Sequence, residues 1–338
     1  MHKETEIIKM PENELNQSKI KALLTDFYNN CNLCGFDTFI VMKTDPKLKR
    51  MSMSENKNSD GDTFREVLKD MVFSVINEYY LPSEAEYVDG TRLANNQNKF
   101  LIIKQSDSYN PFGFLANSET DEVFDIEDLP NATGIVFKLR KGDVTIWCYQ
   151  HLWSIMVPNR KKNSLMARFN KFENQTIFEE QKDWLLTIAK KIDILIIDNS
   201  LITANDKLLQ NSFGFQNYIY QSAQQTINNI TATNLVSNSE KLTEYIGRGK
   251  PKYAKKMMRI GTSKVLSLSA DDLLNKIKTV DRWKGKFKID ESKKQIILNT
   301  YTDVESLIDL FDERYTRSEI TNTEYDTDVK EIAQPIAE

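Results

Sequence analysis

Histidine is almost absent from this chain: only His2 and His151 occur in 338 residues. Serine or cysteine hydrolysis needs a neighbouring base, usually histidine, so a catalytic triad has little to draw on. The three cysteines are too few for a disulfide framework. The polar start, MHKETEIIKM, lacks a signal-peptide pattern, and a reducing cytoplasm is the expected compartment. Glycine is also scarce, with 11 residues. None forms a phosphate-cradling loop, because Gly247-x-Gly249 lacks the rest of either common fingerprint. No apolar run approaches bilayer length, since the best, Ile192 to Leu201, is cut by Asp193 and Asp198.

What is present suits a globular protein. Apolar residues make up 40% and charged residues 28%, enough for a sizeable core, and the length allows two domains. The stretch from Gly134 to Trp153 fits one structure best. Val136, Phe137, Leu139, Val144, Ile146, Trp147 and Tyr149 suit a pleated surface, and Lys141-Gly142-Asp143 offers a tight turn. Apolar residues fall on both faces of each run. We therefore expect a hairpin in mid-sheet, covered on both sides, with Trp147 as a large, mostly buried aromatic.

A second strand-like run follows at Ile192 to Leu201. The order of a basic-turn hairpin ending Ile146-Trp147-Cys148-Tyr149-Gln150-His151, then Asp193-Ile-Leu-Ile-Ile-Asp198-Asn199, then Phe213-Gly-Phe215, resembles the family of the B protein of the Kiwa anti-phage defence system. Thr321-Asn322-Thr323-Glu324-Tyr325 fits it too, so the likeness spans roughly residues 130 to 326. The resemblance carries no catalytic signature. It implies a defence protein that works with a small membrane-embedded Kiwa A protein at the inner face of the cell membrane and binds double-stranded DNA to obstruct phage replication or transcription. A homo-oligomer, taken as a dimer, is the expected assembly.

Periodicity outlines the remaining elements. Glu12 to Asn30 reads as a helix with Ile20, Leu23, Leu24, Phe27 and Tyr28 on one face, and Asp37 to Thr44 as a strand. Thr63 and Glu66 form a capping box for a helix whose expected core face is Phe64, Val67, Leu68, Met71, Val75, Ile76 and Tyr79. Phe100 to Lys104 is a short strand, and the acidic stretch Ser106 to Asn131 reads as a solvated loop. Asn159 to Lys171 is basic through Arg160, Lys161, Lys162, Arg168 and Lys171, and suits a surface helix or a phosphate contact. Beyond Asn205 the composition turns helical. Ser269 caps a helix through Leu273, Leu274 and Ile277, Lys286 to Ile289 pairs with Gln295 to Leu298, and Thr302 with Glu305 boxes a last helix. The expected fold class is thus α/β (α+β): residues 1–205 as an α/β domain with a mixed central sheet and flanking helices, and 206–338 as a mainly helical domain with a hairpin.

Charge is concentrated in that second part. From 247 to 296 there are fifteen lysines and arginines against five acids, in a chain whose formal net charge is -4. On the helix opened by Pro251, Lys252, Lys255, Lys256 and Arg259 recur at i, i+3, i+4 and i+7 and make one positive stripe. Like charges at this spacing repel, so the stripe is expected to meet an outside polyanion, and replacing Lys255 and Lys256 by glutamate to leave stability unchanged or raise it. The expected DNA-contacting set is Arg248, Lys250, Lys252, Lys255, Lys256, Arg259, Lys264, Lys276, Lys278 and Arg282. Three helices followed by a hairpin also match the element order of a winged helix, with Asp271 to Arg282 in the recognition position. The plainer alternative is a solvated lysine face.

Metal and nuclease chemistry are weighed against this. Cys31, Cys34, Cys148 and His151 offer zinc-type donors, but residues three apart on a strand face opposite ways. Glu291-Ser292-Lys293 has the acid-x-lysine pattern in an expected turn without a second carboxylate cluster, and Phe100 to Lys104 has isoleucine where the carboxylate should stand. The expectation is a DNA-binding, non-enzymatic effector without a cofactor. A metal-dependent nuclease or a non-catalytic protein-interaction module are the alternatives.

Overall fold

The computed structural model describes residues 17–44, 47–91, 98–117, 120, 122–153, 156, 167–172, 175–180, 185–317 and 324–326; 117, 167–172, 175–180, 262, 315–317 and 324–326 are described by backbone alone. His2, the helix start at Glu12, Glu119, Asp121, the basic segment with Arg160, Lys161 and Lys162, and Thr321 to Thr323 lie outside these residues. The chain forms two compact units. One takes the chain up to Tyr87 with Asn96–Ser106 and Asn110–Ala204, and the other takes Val88–Asn95, Asp107–Tyr109 and the chain from Asn205 onward.

The first unit contains α1 (Gln17–Asn29), β1 (Gly35–Met42), β2 (Leu48–Arg50), α2 (Phe64–Val75), β3 (Glu86–Asp89), β4 (Lys99–Lys104), β5 (Ala132–Lys141), β6 (Val144–His151), β7 (Ala167–Phe172), β8 (Gln175–Glu180), β9 (Ile194–Ile197) and β10 (Ser200–Thr203). Strand β3 runs on into residues of the second unit. Eight strands form one sheet in the order β2-β1-β5-β6-β9-β10-β4-β3, which puts the β5–β6 hairpin in its middle. Its loop is two residues, Gly142 and Asp143, since Lys141 pairs with Val144, and Gly142 takes the positive φ of 56° that this turn requires. Ile135, Val136 and Phe137 are all fully buried, as a strand covered on both faces demands.

Helices α1 and α2 cover one face. Ile20, Leu24 and Phe27 from α1 and Leu68, Val72, Phe73 and Val75 from α2 share a core with Phe36, Ile40, Ile135, Phe137, Ile146, Cys148, Leu195 and Ile197. The capping box on Thr63 and Glu66 is present. Its core face differs from the expected one: Phe64, Val67 and Tyr79 are exposed. The helix widens into a π-turn at Ile76–Tyr80, which advances the register by one residue and sends Tyr80 inward, stacked on Phe100 at 4.5 Å.

Three further expectations are corrected. Ile192 to Leu201 is not one strand: Asp198 and Asn199 turn the chain between β9 and β10, with Asp198 at a φ of 49°. The end of the basic stretch Asn159 to Lys171, expected as a surface helix or a phosphate contact, is not helical: 167–172 run as β7, paired antiparallel to β8. The acidic stretch is anchored: Arg50 and Glu122, and Phe124 and Arg50, exchange backbone hydrogen bonds, and Lys49 Nζ lies 2.8 Å from an Asp128 oxygen.

The largest fully buried side chain of the hairpin is Tyr149. Its ring fills the space above Gly134, where a Cβ would collide with it, and its hydroxyl donates to the Thr133 carbonyl at 3.2 Å. Trp147 is half-buried, with Phe39 6.0 Å away and Lys138 Nζ 4.9 Å from its ring centroid. Tyr149→Ala is therefore expected to cost about 3–5 kcal/mol and Trp147→Ala clearly less. Urea titration of both variants measures this, and an equal loss would contradict the difference in burial.

Candidate nucleic-acid interface

The second unit contains α3 (Lys207–Ser212), α4 (Phe215–Ala232), β11 (Val236–Ser237), α5 (Glu240–Ile246), α6 (Pro251–Arg259), α7 (Ala270–Thr279), β12 (Lys288–Asp290), β13 (Gln295–Ile297), α8 (Tyr301–Phe311), β14 (Tyr315–Arg317) and β15 (Glu324–Asp326). The expected hairpin forms as β12–β13, and β11 joins it parallel to β13. Ser269 caps α7 as expected. The box on α8 is made by Thr300 and Asp303 rather than by Thr302 and Glu305, so the helix starts two residues earlier. Its face of Val304, Leu307, Ile308 and Phe311 is buried.

Helix α6 begins with Pro251 in its first turn, where the missing N–H costs nothing. Ala254, Met257 and the following Ile260 are fully buried. The positive stripe is not free. At ~100° per residue Lys255 stands about 60° from Lys252, on the side towards Ala254, and is drawn inward. Its ammonium pairs with Asp206, with side-chain exposures of 6% and 11%, and sits 5.9 Å from the Phe215 ring centroid. Arg259 pairs with Asp312 just beyond α8 at 2.5 Å. The repulsion expected along the stripe is thus offset by internal carboxylates. Lys256 is half-buried, and Lys252 alone of the four is exposed.

The other expected contacts divide similarly. Arg248, Lys250, Lys264, Lys276 and Lys278 are exposed, and Arg282 is half-buried. Lys278 Nζ lies 2.8 Å from Glu291 in the β12–β13 turn, while Lys294 engages Asp271 at 2.8 Å. Among the described residues no carboxylate pairs with Arg248, Lys250 or Lys252, all at the turn between α5 and α6.

Arg248 has aromatic company that the sequence reading missed. Its guanidinium carbon lies 4.4 Å from the ring centroid of Tyr253, 4.9 Å from Tyr301 and 5.8 Å from Tyr245. Tyr245 is fully buried, donates to Glu305 at 3.3 Å, and has its phenol pushed to high pKa by burial. The i, i+3 spacing of Tyr245 and Arg248 was a visible signal; Tyr301 joins only through the fold.

The zinc-type donors do not converge. Strand β6 includes both Cys148 and His151, so they face opposite ways, and Cys148 is fully buried with its thiol driven far up by desolvation. Cys31 opens a 3₁₀ turn that Cys34 closes, and burial raises the Cys34 thiol. Among the described residues no group of three His, Cys, Asp or Glu side chains is placed to hold a metal ion. Glu291, of the acid-x-lysine pattern, is held by Lys278.

Residues 129–321 match the model of the family described as Kiwa protein KwaB-like. The chain belongs to that family. No curated protein and no solved structure matches it. Membership gives the chain a role in Kiwa anti-phage defence and a partnership with other Kiwa components. The matched span of this KwaB-like chain takes in the central hairpin and the whole turn-and-tyrosine cluster around Arg248. No helix among the described residues is long and apolar enough to cross a membrane.

Two outcomes follow from the burial pattern. Lys255→Ala strands the Asp206 carboxylate in a buried site and should lower stability by roughly 3 kcal/mol or more, whereas Lys252→Ala should change it by about 0.5 kcal/mol at most. Chemical denaturation separates the two. With Cys34 and Cys148 buried and Cys31 only half-buried, a native thiol titration should show fast reaction at Cys31 alone. Mass mapping that finds Cys148 labelled first would contradict this.

Proposed function

We propose that this KwaB-like protein is a non-catalytic DNA-binding effector of the Kiwa system, acting with a membrane-embedded partner at the inner face of the membrane to block phage replication or transcription. The observation that carries the reading is the exposed turn bearing Arg248, Lys250 and Lys252, three cations without a carboxylate partner among the described residues. Many neighbouring cations are engaged internally, so these are the ones with charge to offer a phosphate backbone. Lys264 and Lys276 are exposed further along the unit and extend the contact with double-stranded DNA. A homodimer would double it. In the acid-x-lysine pattern, Glu291 holds Lys278, and the adjacent Asp290 accepts from Ser292 and Lys293 within its own turn.

The test is a gel shift with random duplex DNA at two salt concentrations, with and without magnesium. Affinity should fall linearly in log salt, by about -0.9 per phosphate contact. Lys250→Glu with Lys252→Glu should weaken binding about tenfold or more across unrelated sequences and flatten the slope by roughly two contacts. Both side chains are exposed, so the melting temperature should hold. Full affinity with an unaltered slope in the double variant would remove the turn from the interface, and magnesium-dependent cutting would replace the non-catalytic reading with the nuclease.

A further inference from the structure

We infer that Arg248 and its tyrosines form a stacking platform for an unpaired nucleobase, so that this turn takes single-stranded DNA in addition to the duplex. The inference rests on the DNA-binding reading and adds the single strand to the forms of DNA that the site accepts. A lysine-rich turn alone would select only charge. Here the cation is a planar guanidinium set among aromatic neighbours, with Tyr253 at 4.4 Å and Tyr301 at 4.9 Å, while Arg248 itself remains exposed.

The support beneath the guanidinium is fixed. Tyr245 is anchored by burial and by Glu305, and its ring meets Tyr253 edge-on at 4.9 Å and an interplanar angle of 68°. Tyr301 is the first residue of α8, set by the capping box of Thr300 and Asp303, and remains 41% exposed. Arg248 and Tyr301 are thus the exposed members of the cluster. Lys250 and Lys252 follow Arg248 closely in the chain, with Lys252 Nζ 5.0 Å from the Tyr253 centroid, and offer their charge to the phosphates beside a stacked base.

Geometry selects the single strand. In a duplex the base faces are stacked on one another and only their edges reach a protein, so a flat platform has nothing to stack on. An unpaired base offers a π-face of any sequence, and aromatic and arginine surfaces together with a cationic groove are the usual means of holding one.

The experiment is fluorescence anisotropy of the full-length chain with three labelled probes at one salt concentration: an oligothymidine, an abasic oligonucleotide of the same length, and a random blunt duplex. The oligothymidine should bind about tenfold more tightly than the abasic strand, which has the same phosphates and no bases. Tyr301→Ala should bring the oligothymidine down to the abasic level and leave the duplex unchanged. Arg248→Lys keeps the charge and removes the plane, so it should lose the same base-dependent part; as a change at an exposed side chain, it keeps the test sound if Tyr301→Ala folds poorly. Equal binding of oligothymidine and abasic strand, or variants that weaken all three probes alike, overturns the platform. Duplex binding without any binding of the oligothymidine also overturns it while leaving the DNA-binding reading intact. Loss of all three probes by the unmodified protein removes both.

Discussion

The first unit depends on the pairing of β5 with β6. Eight residue pairs, from Gly134 with His151 to Lys141 with Val144, join two strands whose neighbours on the outer sides are β1 and β9. With every backbone polar group between them engaged, both faces can be apolar, and both must then be covered. One is covered by α1 and α2; on the other, Tyr149 lies against Phe112 at 5.2 Å. The concession at Gly134 belongs to the same logic. A side chain there would exclude the Tyr149 ring, and without that ring the strand would have a gap at its most buried point.

Much of this was legible because its causes are local. Gly142 in a two-residue turn, the β-branched runs beside it, the Thr63–Glu66 box and the Ser269 cap each act over a few residues. What was not legible depended on partners far away or on a single shift of register. The π-turn at Ile76–Tyr80 exchanges Tyr79 for Tyr80 in the core, and a 3.6-residue period carries no notice of it. Thr300-x-x-Asp303 and Thr302-x-x-Glu305 both match a capping box, and the place where the chain enters α8 decides between them. The short run from Ile192 to Leu201 read as one strand because its apolar residues continue through a turn that Asp198 and Asn199 make without glycine or proline.

The candidate interface illustrates the same division. That the unit is rich in lysine and arginine could be counted. Which cations are spent internally could not, because Asp206 and Asp312 lie far from Lys255 and Arg259 in the sequence. A helical stripe computed from spacing treats all its members alike, whereas a rotation of about 60° is enough to take one of them out of water. The Arg248 cluster shows the converse: three tyrosines scattered from 245 to 301 gather around one guanidinium only when α5, α6 and α8 are folded.

The ends of the eight-stranded sheet carry a different consequence. An open sheet exposes unpaired amides and carbonyls at its edges, and these recruit strands from other molecules. Here the edge strands are short, three residues in β2 and four in β3. Beyond β2 the acidic segment takes up the outward groups of Arg50 through Glu122 and Phe124, and Lys49 is tethered to Asp128. The acidic segment that looks in sequence like a solvated loop thus caps the edge with its backbone, and crowding many copies of the chain together does not offer them that edge as a seam for sheet-to-sheet fusion.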